Sequence, residues 1–204
     1  MKLNWLVGFW IGFTLFCNTT QAQENRRQLV ILDPGHGGVD SGAIGINGIQ
    51  EKDIVLEVAK EAIRLNRELF GNLLDIYLTR YNDTLISLSD RTKLVKVLQP
   101  DVFISIHCNQ AERKKAQGIE VYVQQPNTNT NSDLQSKSEN LSETLLSEFD
   151  QALGFKIRGM KYDNFQVLRE TQYICPGVLL EAGFLSNREE AEHSQKVSSI
   201  RAYA

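Results

Sequence analysis

Histidine is scarce in this chain, with three among 204 residues, and two of the three fall where short apolar runs end. The run Gln28–Asp33 (QLVILD) leads into the turn Pro34-Gly35-His36-Gly37-Gly38, and the run Val102–His107 (VFISIH) closes on His107. A third run, Val178–Glu181, closes on a carboxylate. Ligands of open α/β sheets bind beyond the carboxyl ends of the strands, so these ends are where chemistry is expected. Two neutral imidazoles with a carboxylate are the donor set of a hydrolytic zinc site that leaves a position for water. A further carboxylate beside that water acts as general base. The other reading makes each histidine a packed core or loop residue, and the convergence of three strand ends favours the metal. Spacing alone does not choose the third ligand, because Asp33, Asp40, Glu51 and Glu120 all compete. The glycine-rich turn after Asp33 could instead cradle phosphate, but it lacks both GxGxxG and a GK[ST] ending. Glycine there is read as letting the backbone pass close to a metal-bound histidine.

The elements that must position these residues alternate in kind. Besides the three runs above, Leu73–Thr79, Ile119–Val123 and Phe165–Leu168 read as strands, short and apolar with little alternation, as in strands covered on both faces. Glu51–Phe70 carries Ile54, Val55, Val58, Ala62, Leu65 and Leu69 at helical spacing. Ser87–Leu98, Glu139–Leu153 and Arg188–Ala202 also read as helices, and Gln124–Lys137, rich in Asn, Thr, Ser and Gln, reads as a polar loop. The expectation is a single α/β domain: a twisted, mostly parallel sheet of about six strands with helices on both faces.

Composition sets the limits. With 42% apolar and 23% charged residues the chain can bury a core, and a net charge of −3 gives no basic excess to draw nucleic acid. Lys2, the apolar run Trp5–Phe16 and a polar exit to Ala22 have the layout of a secretory signal peptide. The run is short for a bilayer span, so residues 1–22 are expected to be removed and 23–204 to form the catalytic domain, outside the inner membrane and with no stable membrane insertion. A retained anchor is the alternative, and Cys17 raises a lipid-anchored one, against which Phe16 is bulky. The mature chain would keep Cys108 and Cys175, without a CxxC pattern; two separate buried thiols are favoured over a disulfide.

The segment Leu32-Asp33-Pro34-Gly35-His36-Gly37-Gly38-Val39-Asp40-Ser41-Gly42-Ala43 resembles the opening motif of the zinc-dependent N-acetylmuramoyl-L-alanine amidases, bacterial cell-separation enzymes. Later motifs match in order: Gln50-Glu51-Lys52-Asp53, Tyr77-Leu78-Thr79-Arg80, Ser105-Ile106-His107-Cys108-Asn109 and Leu179-Leu180-Glu181-Ala182-Gly183-Phe184-Leu185-Ser186-Asn187. The resemblance runs from about Leu29 to Glu190. It implies one Zn²⁺ per chain held by His36, Glu51 and His107, with Glu181 as the catalytic carboxylate. It also implies peptidoglycan as substrate, cut between the lactyl group of muramic acid and L-alanine, in the periplasm or cell envelope. Arg80 and Arg91 stand where the family has arginines, suited equally to a substrate carboxylate or an internal ion pair, and Asn109 is expected to line the cleft. Cys108 stands where the family commonly has alanine, and the chain ends at Ala204, a turn or two early for the family's last helix.

Two other functions fit the same framework, an inactive wall-binding module and a zinc peptidase acting within the stem peptide. Presence of all four site residues weighs against the first. Some relatives carry an inhibitory helix inserted after the strand that follows the second histidine. Here Gln124–Ser138 has one clearly apolar residue, Leu134, too little for a docked helix. An open, solvated loop is expected in its place.

Overall fold

The computed structural model describes residues 26–204, so the expected signal peptide and Cys17 lie outside the described residues. Six strands form one sheet in the order β2-β1-β3-β6-β4-β5, with β1 Gln28–Pro34, β2 Leu74–Leu78, β3 Val102–Asn109, β4 Ile119–Gln124, β5 Ile157–Asp163 and β6 Gly177–Phe184. All neighbouring pairs run parallel except β4 with β6, which is antiparallel. The sheet is therefore mixed and mostly parallel, as expected.

Side chains alternate across each strand, and two cores result. Val30, Leu32, Ile106, Val178 and Leu180 pack one face against Ile54, Val55 and Val58 of α1 (Glu51–Phe70) and Leu146 of α3 (Ser132–Ser147). Ile31, Phe103 and Leu179 pack the other against Val95 of α2 (Leu88–Leu98) and Val167 and Leu168 of α4 (Gln166–Arg169). Cys108 belongs to the first core and Cys175 to the second, both buried and, among the described residues, unpaired.

Three elements differ from the sequence reading. Phe165–Leu168 is not a strand. Its apolar residues form the helical turn α4, while the strand is the preceding Ile157–Asp163, which carries Arg158, Gly159 and Lys161 and pairs only with β4 at the sheet edge. An edge strand need not be apolar on both faces, so no run marked it. The helix expected over Glu139–Leu153 starts at Ser132 and gives way to a wider turn at Glu148–Ala152. Asn131 caps it by accepting from the backbone N–H groups of Asp133 and Leu134 at 3.1 and 3.2 Å. Its buried face is made by Ser138 and Ser142 before Leu146, so apolar spacing could not reveal it. The end of the expected polar loop, from Ser132 to Lys137, is thus helix. The final helix is two, α5 (Arg188–Ser194) and α6 (Val197–Tyr203). Among the described residues no helix is long and apolar enough to cross a membrane.

Candidate metal centre

The chain turns sharply after β1. His36 has φ 58°, a left-handed conformation that a non-glycine residue adopts only where its surroundings over-determine it. Here they do. Gly37 and Asp40 exchange backbone hydrogen bonds of 2.9 and 3.1 Å, which folds Asp40 back so that its Oδ2 lies 2.8 Å from His36 Nδ1. That contact assigns a proton to Nδ1 and turns Nε2 toward Glu51, the usual way a carboxylate orients a histidine for a metal.

Two buried arginines hold the turn from below. Arg80 donates to the carbonyls of Pro34, Gly35, Lys52 and Asn82. Arg91 donates to those of Pro34 and His36 at 2.7 and 2.6 Å, and pairs with Asp33 at 2.6 Å. Asp33 also accepts from Thr79 and Ser105. Both arginines thus hold backbone in place. The substrate contact considered for Arg80 gives way to this scaffolding, because burial at 3% exposure keeps its guanidinium under the turn. Asp33 is likewise spent on Arg91 and cannot be the third ligand.

Glu51 opens α1 and reaches the same place from the opposite side. Its Oε1 lies 2.9 Å from His107 Nδ1 and 3.2 Å from His36 Nε2, and accepts the Cys108 N–H at 2.9 Å. Its Oε2 accepts the Ala43 N–H at 2.8 Å. One ligand atom from each of His36, Glu51 and His107 lies within 4.8 Å of the others, a group that could hold a metal ion. Burial opposes charge on Glu51, yet the hydrogen bonds from His107 and His36 hold its carboxyl well below the usual carboxylate range. Burial likewise opposes charge on His36, but Glu51 and then Asp40 raise it to about 9. The same carboxylates that retain a proton there would retain a cation in its place.

Glycines make room for this convergence. A Cβ on Gly35 would lie 2.3 Å from His107 Cε1, and one on Gly42 would lie 2.4 Å from Glu51 Oε2. The reading of glycine as permitting close passage holds, with Gly35 serving His107 and not its neighbour His36.

Glu181 stands beside His107 in the β3–β6 register. Its Oε2 is buried and has no hydrogen-bond partner among the described residues. Burial raises its carboxyl to about 7 against the pull of His107, with smaller contributions from the nearby Glu51 and Glu120 charges. A bound cation would pull that value back down. His36, His107 and Glu181 line a cleft of about 490 Å³, walled by Leu85–Leu88 at the start of α2 and Phe165–Val167 at the start of α4. A somewhat larger groove between α1 and α6 has none of these groups. Asn109 is tied to Glu120, and the third histidine, His193, stacks with Phe155 and Tyr203 away from the site.

The family model described as N-acetylmuramoyl-L-alanine amidase matches residues 30–204. The chain belongs to that family. It is 35% identical over 185 residues to the N-acetylmuramoyl-L-alanine amidase LytC of Bacillus subtilis, covering 89% of this chain and 35% of that protein. It is 36% identical to a sporulation-specific N-acetylmuramoyl-L-alanine amidase of the same organism, covering 86% of this chain and 63% of that one. The chain thus spans between about a third and under two thirds of these amidases. Among solved structures, an N-acetylmuramoyl-L-alanine amidase of Clostridium difficile 630 superposes with a TM-score of 0.74 at 32% identity, over 86% of this chain and 90% of that one. The catalytic domain of CwlV, an amidase of Bacillus (Paenibacillus) polymyxa, gives 0.72 at 32%, over 86% and 91%.

Asp40→Asn tests the orienting contact. The amide cannot hold the Nδ1 proton as a carboxylate does, and metal affinity should fall about 10–100-fold. Competition against a chelator of known affinity measures this; unchanged affinity would make the Asp40 contact incidental.

Proposed function

We propose that this chain is a zinc-dependent peptidoglycan amidase, cutting between the lactyl group of N-acetylmuramic acid and the L-alanine of the stem peptide. The observation that carries the proposal is the unpartnered, buried Glu181 Oε2 beside three convergent ligand atoms. A buried polar atom without a partner is costly, and a site that tolerates one is built for a group that arrives.

His36, Glu51 and His107 are the ligands we assign to zinc, which suits a set of two imidazoles and a carboxylate with an open position. Zinc held there supplies Lewis-acid polarisation of a carbonyl and acidifies a neighbouring water. Glu181 moves the proton: its carboxylate takes it from the attacking water and returns it to the departing alanine nitrogen. Asp40 keeps His36 Nε2 aimed, and Arg80 and Arg91 keep the turn from shifting. The walls at Leu85–Leu88 and Phe165–Val167 bound the space for the scissile amide and limit competing water. Peptidoglycan places the work in the cell envelope, in keeping with a relative described as a probable cell wall amidase, from Staphylococcus epidermidis, 37% identical over 187 residues. Of the segment considered for autoinhibition, the part from Ser132 belongs to α3, and its Ser138 hydroxyl accepts from the Gly177 N–H at the start of β6, the end of that strand away from Glu181, so we propose an enzyme not blocked by that segment.

Digestion of purified wall with and without chelator, followed by mass spectrometry of the new ends, tests the reading. The expected products are free L-alanine amino termini and intact glycan, lost with chelator. New termini elsewhere in the stem would make it a peptidase, and no cleavage a binding module. About one zinc per chain is expected, and His107→Ala should lose it. Stoichiometric zinc in that variant would reassign the ligand.

A further inference from the structure

A second ionic group flanks Glu181 on the side away from His107. Glu120 of β4 is the antiparallel cross-strand partner of Glu181, so both side chains stand on the cleft face, their Cβ atoms about 5 Å apart. Glu120 is 1% exposed. Its Oε1 accepts from Arg158 Nε and from Lys161 Nζ, the latter at 2.6 Å, and its Oε2 accepts from Asn109 Nδ2 at 3.0 Å and the Tyr122 hydroxyl at 2.9 Å. Burial opposes its charge, but Lys161 and Arg158 prevail and keep the carboxyl below its ordinary range.

One carboxylate here accepts from two cations, and Arg158 also feels the Glu190 carboxylate, whose own hydrogen bonds go to the backbone N–H groups of Gly118 and Phe184. Arg158 is held only by its inner edge. Its Nε is on Glu120 and its Cζ sits 5.0 Å from the Phe184 ring centroid, while Nη1 and Nη2 make no hydrogen bond among the described residues. Lys161 lies over Tyr122 at 5.6 Å. Both basic side chains remain more than a third exposed, at 37% and 38%. A guanidinium fixed at Nε with its outer N–H groups free is a preorganised fork for a carboxylate.

We infer that Arg158 and Lys161 form an anion subsite that binds a free carboxylate of the substrate's peptide. The inference rests on the amidase reading. In that substrate the lactyl carboxyl of muramic acid is consumed in the scissile amide, so a free carboxylate can come only from the peptide. The subsite lies on β5, two strands beyond Glu181, with Glu120 on the intervening β4 linking the two. Glu120 and Asn109 are positioning residues for it.

The test uses the zinc-loaded enzyme and two soluble muramyl peptides, identical except that the carboxylate on the second stem residue is free in one and amidated in the other. The native enzyme should favour the free acid about tenfold or more in kcat/KM, mainly through KM, as charge-assisted hydrogen bonds imply. Arg158→Gln should collapse the acid-to-amide ratio of kcat/KM to about one, the loss falling mainly on the acid. Lys161→Met should narrow the gap in part. Equal native kcat/KM on the two peptides overturns the inference whatever the variants do, and so does a loss in Arg158→Gln that is equal on both. If neither peptide is cleaved, the amidase reading fails; the subsite is then judged by calorimetric affinity for the pair, where equal Kd values overturn it.

Discussion

Glu181→Gln is expected to fold, keep its zinc and lose wall-cleaving turnover by about 10²–10⁴-fold. The substitution is isosteric, and Glu181 Oε2 makes no hydrogen bond that an amide would forfeit. It also removes a buried negative charge that stands between Glu51 and Glu120, both of which work against its ionisation. Thermal stability should therefore hold or rise while activity collapses, a combination that a structural role would not give. A melt, a metal analysis and a turnover assay on one preparation decide it. Near-native turnover would mean that Glu181 handles no proton.

Gly35→Ala should be nearly as damaging, by geometry alone. Alanine is compatible with the backbone at Gly35, which is not among the positive-φ positions. The added methyl would sit 2.3 to 2.6 Å from three atoms of the His107 ring. Neither side can retreat: the Gly35 N–H is bonded to the Ile106 carbonyl at 3.0 Å, and the ring is held by Glu51. Displacing a ligand by about an ångström costs on the order of 10²-fold in rate, and zinc content should drop with it. Full zinc and full turnover would show that the ring has freedom the packing denies.

The contrast between these residues shows what the sequence could convey. β1, β3 and β6 were legible because strands covered on both faces become apolar runs, and the residues where those runs close or just beyond, His36, His107 and Glu181, inherit that clarity. α1 was legible to the residue from its spacing. Glu51 became distinct from Asp33, Asp40 and Glu120 only through the family resemblance, and the structure shows why spacing failed. Each competitor is also a carboxylate near the same rim, but Asp33 is bound to Arg91, Asp40 braces His36 and Glu120 serves two cations. Such differences depend on cross-strand register and on a turn that doubles back. β5 escaped because an edge strand carrying Arg158 and Lys161 has no apolar signature. The start of α3 escaped because serines form its buried face.

The placement of the two cysteines has a practical consequence. Lying in separate cores on opposite faces of the sheet, Cys108 and Cys175 cannot pair with each other in the folded protein, so there is no bond between them for an oxidant to form or a reductant to break. Burial also holds both thiols protonated, Cys175 up at about 12 and Cys108 well above its ordinary value, and a protonated thiol is a poor nucleophile. Alkylation at either site must then wait for that layer to open. These two thiols so serve as reporters, one per face, and because Cys108 adjoins His107 and donates its backbone N–H to Glu51, its labelling rate should follow metal loading while that of Cys175 does not.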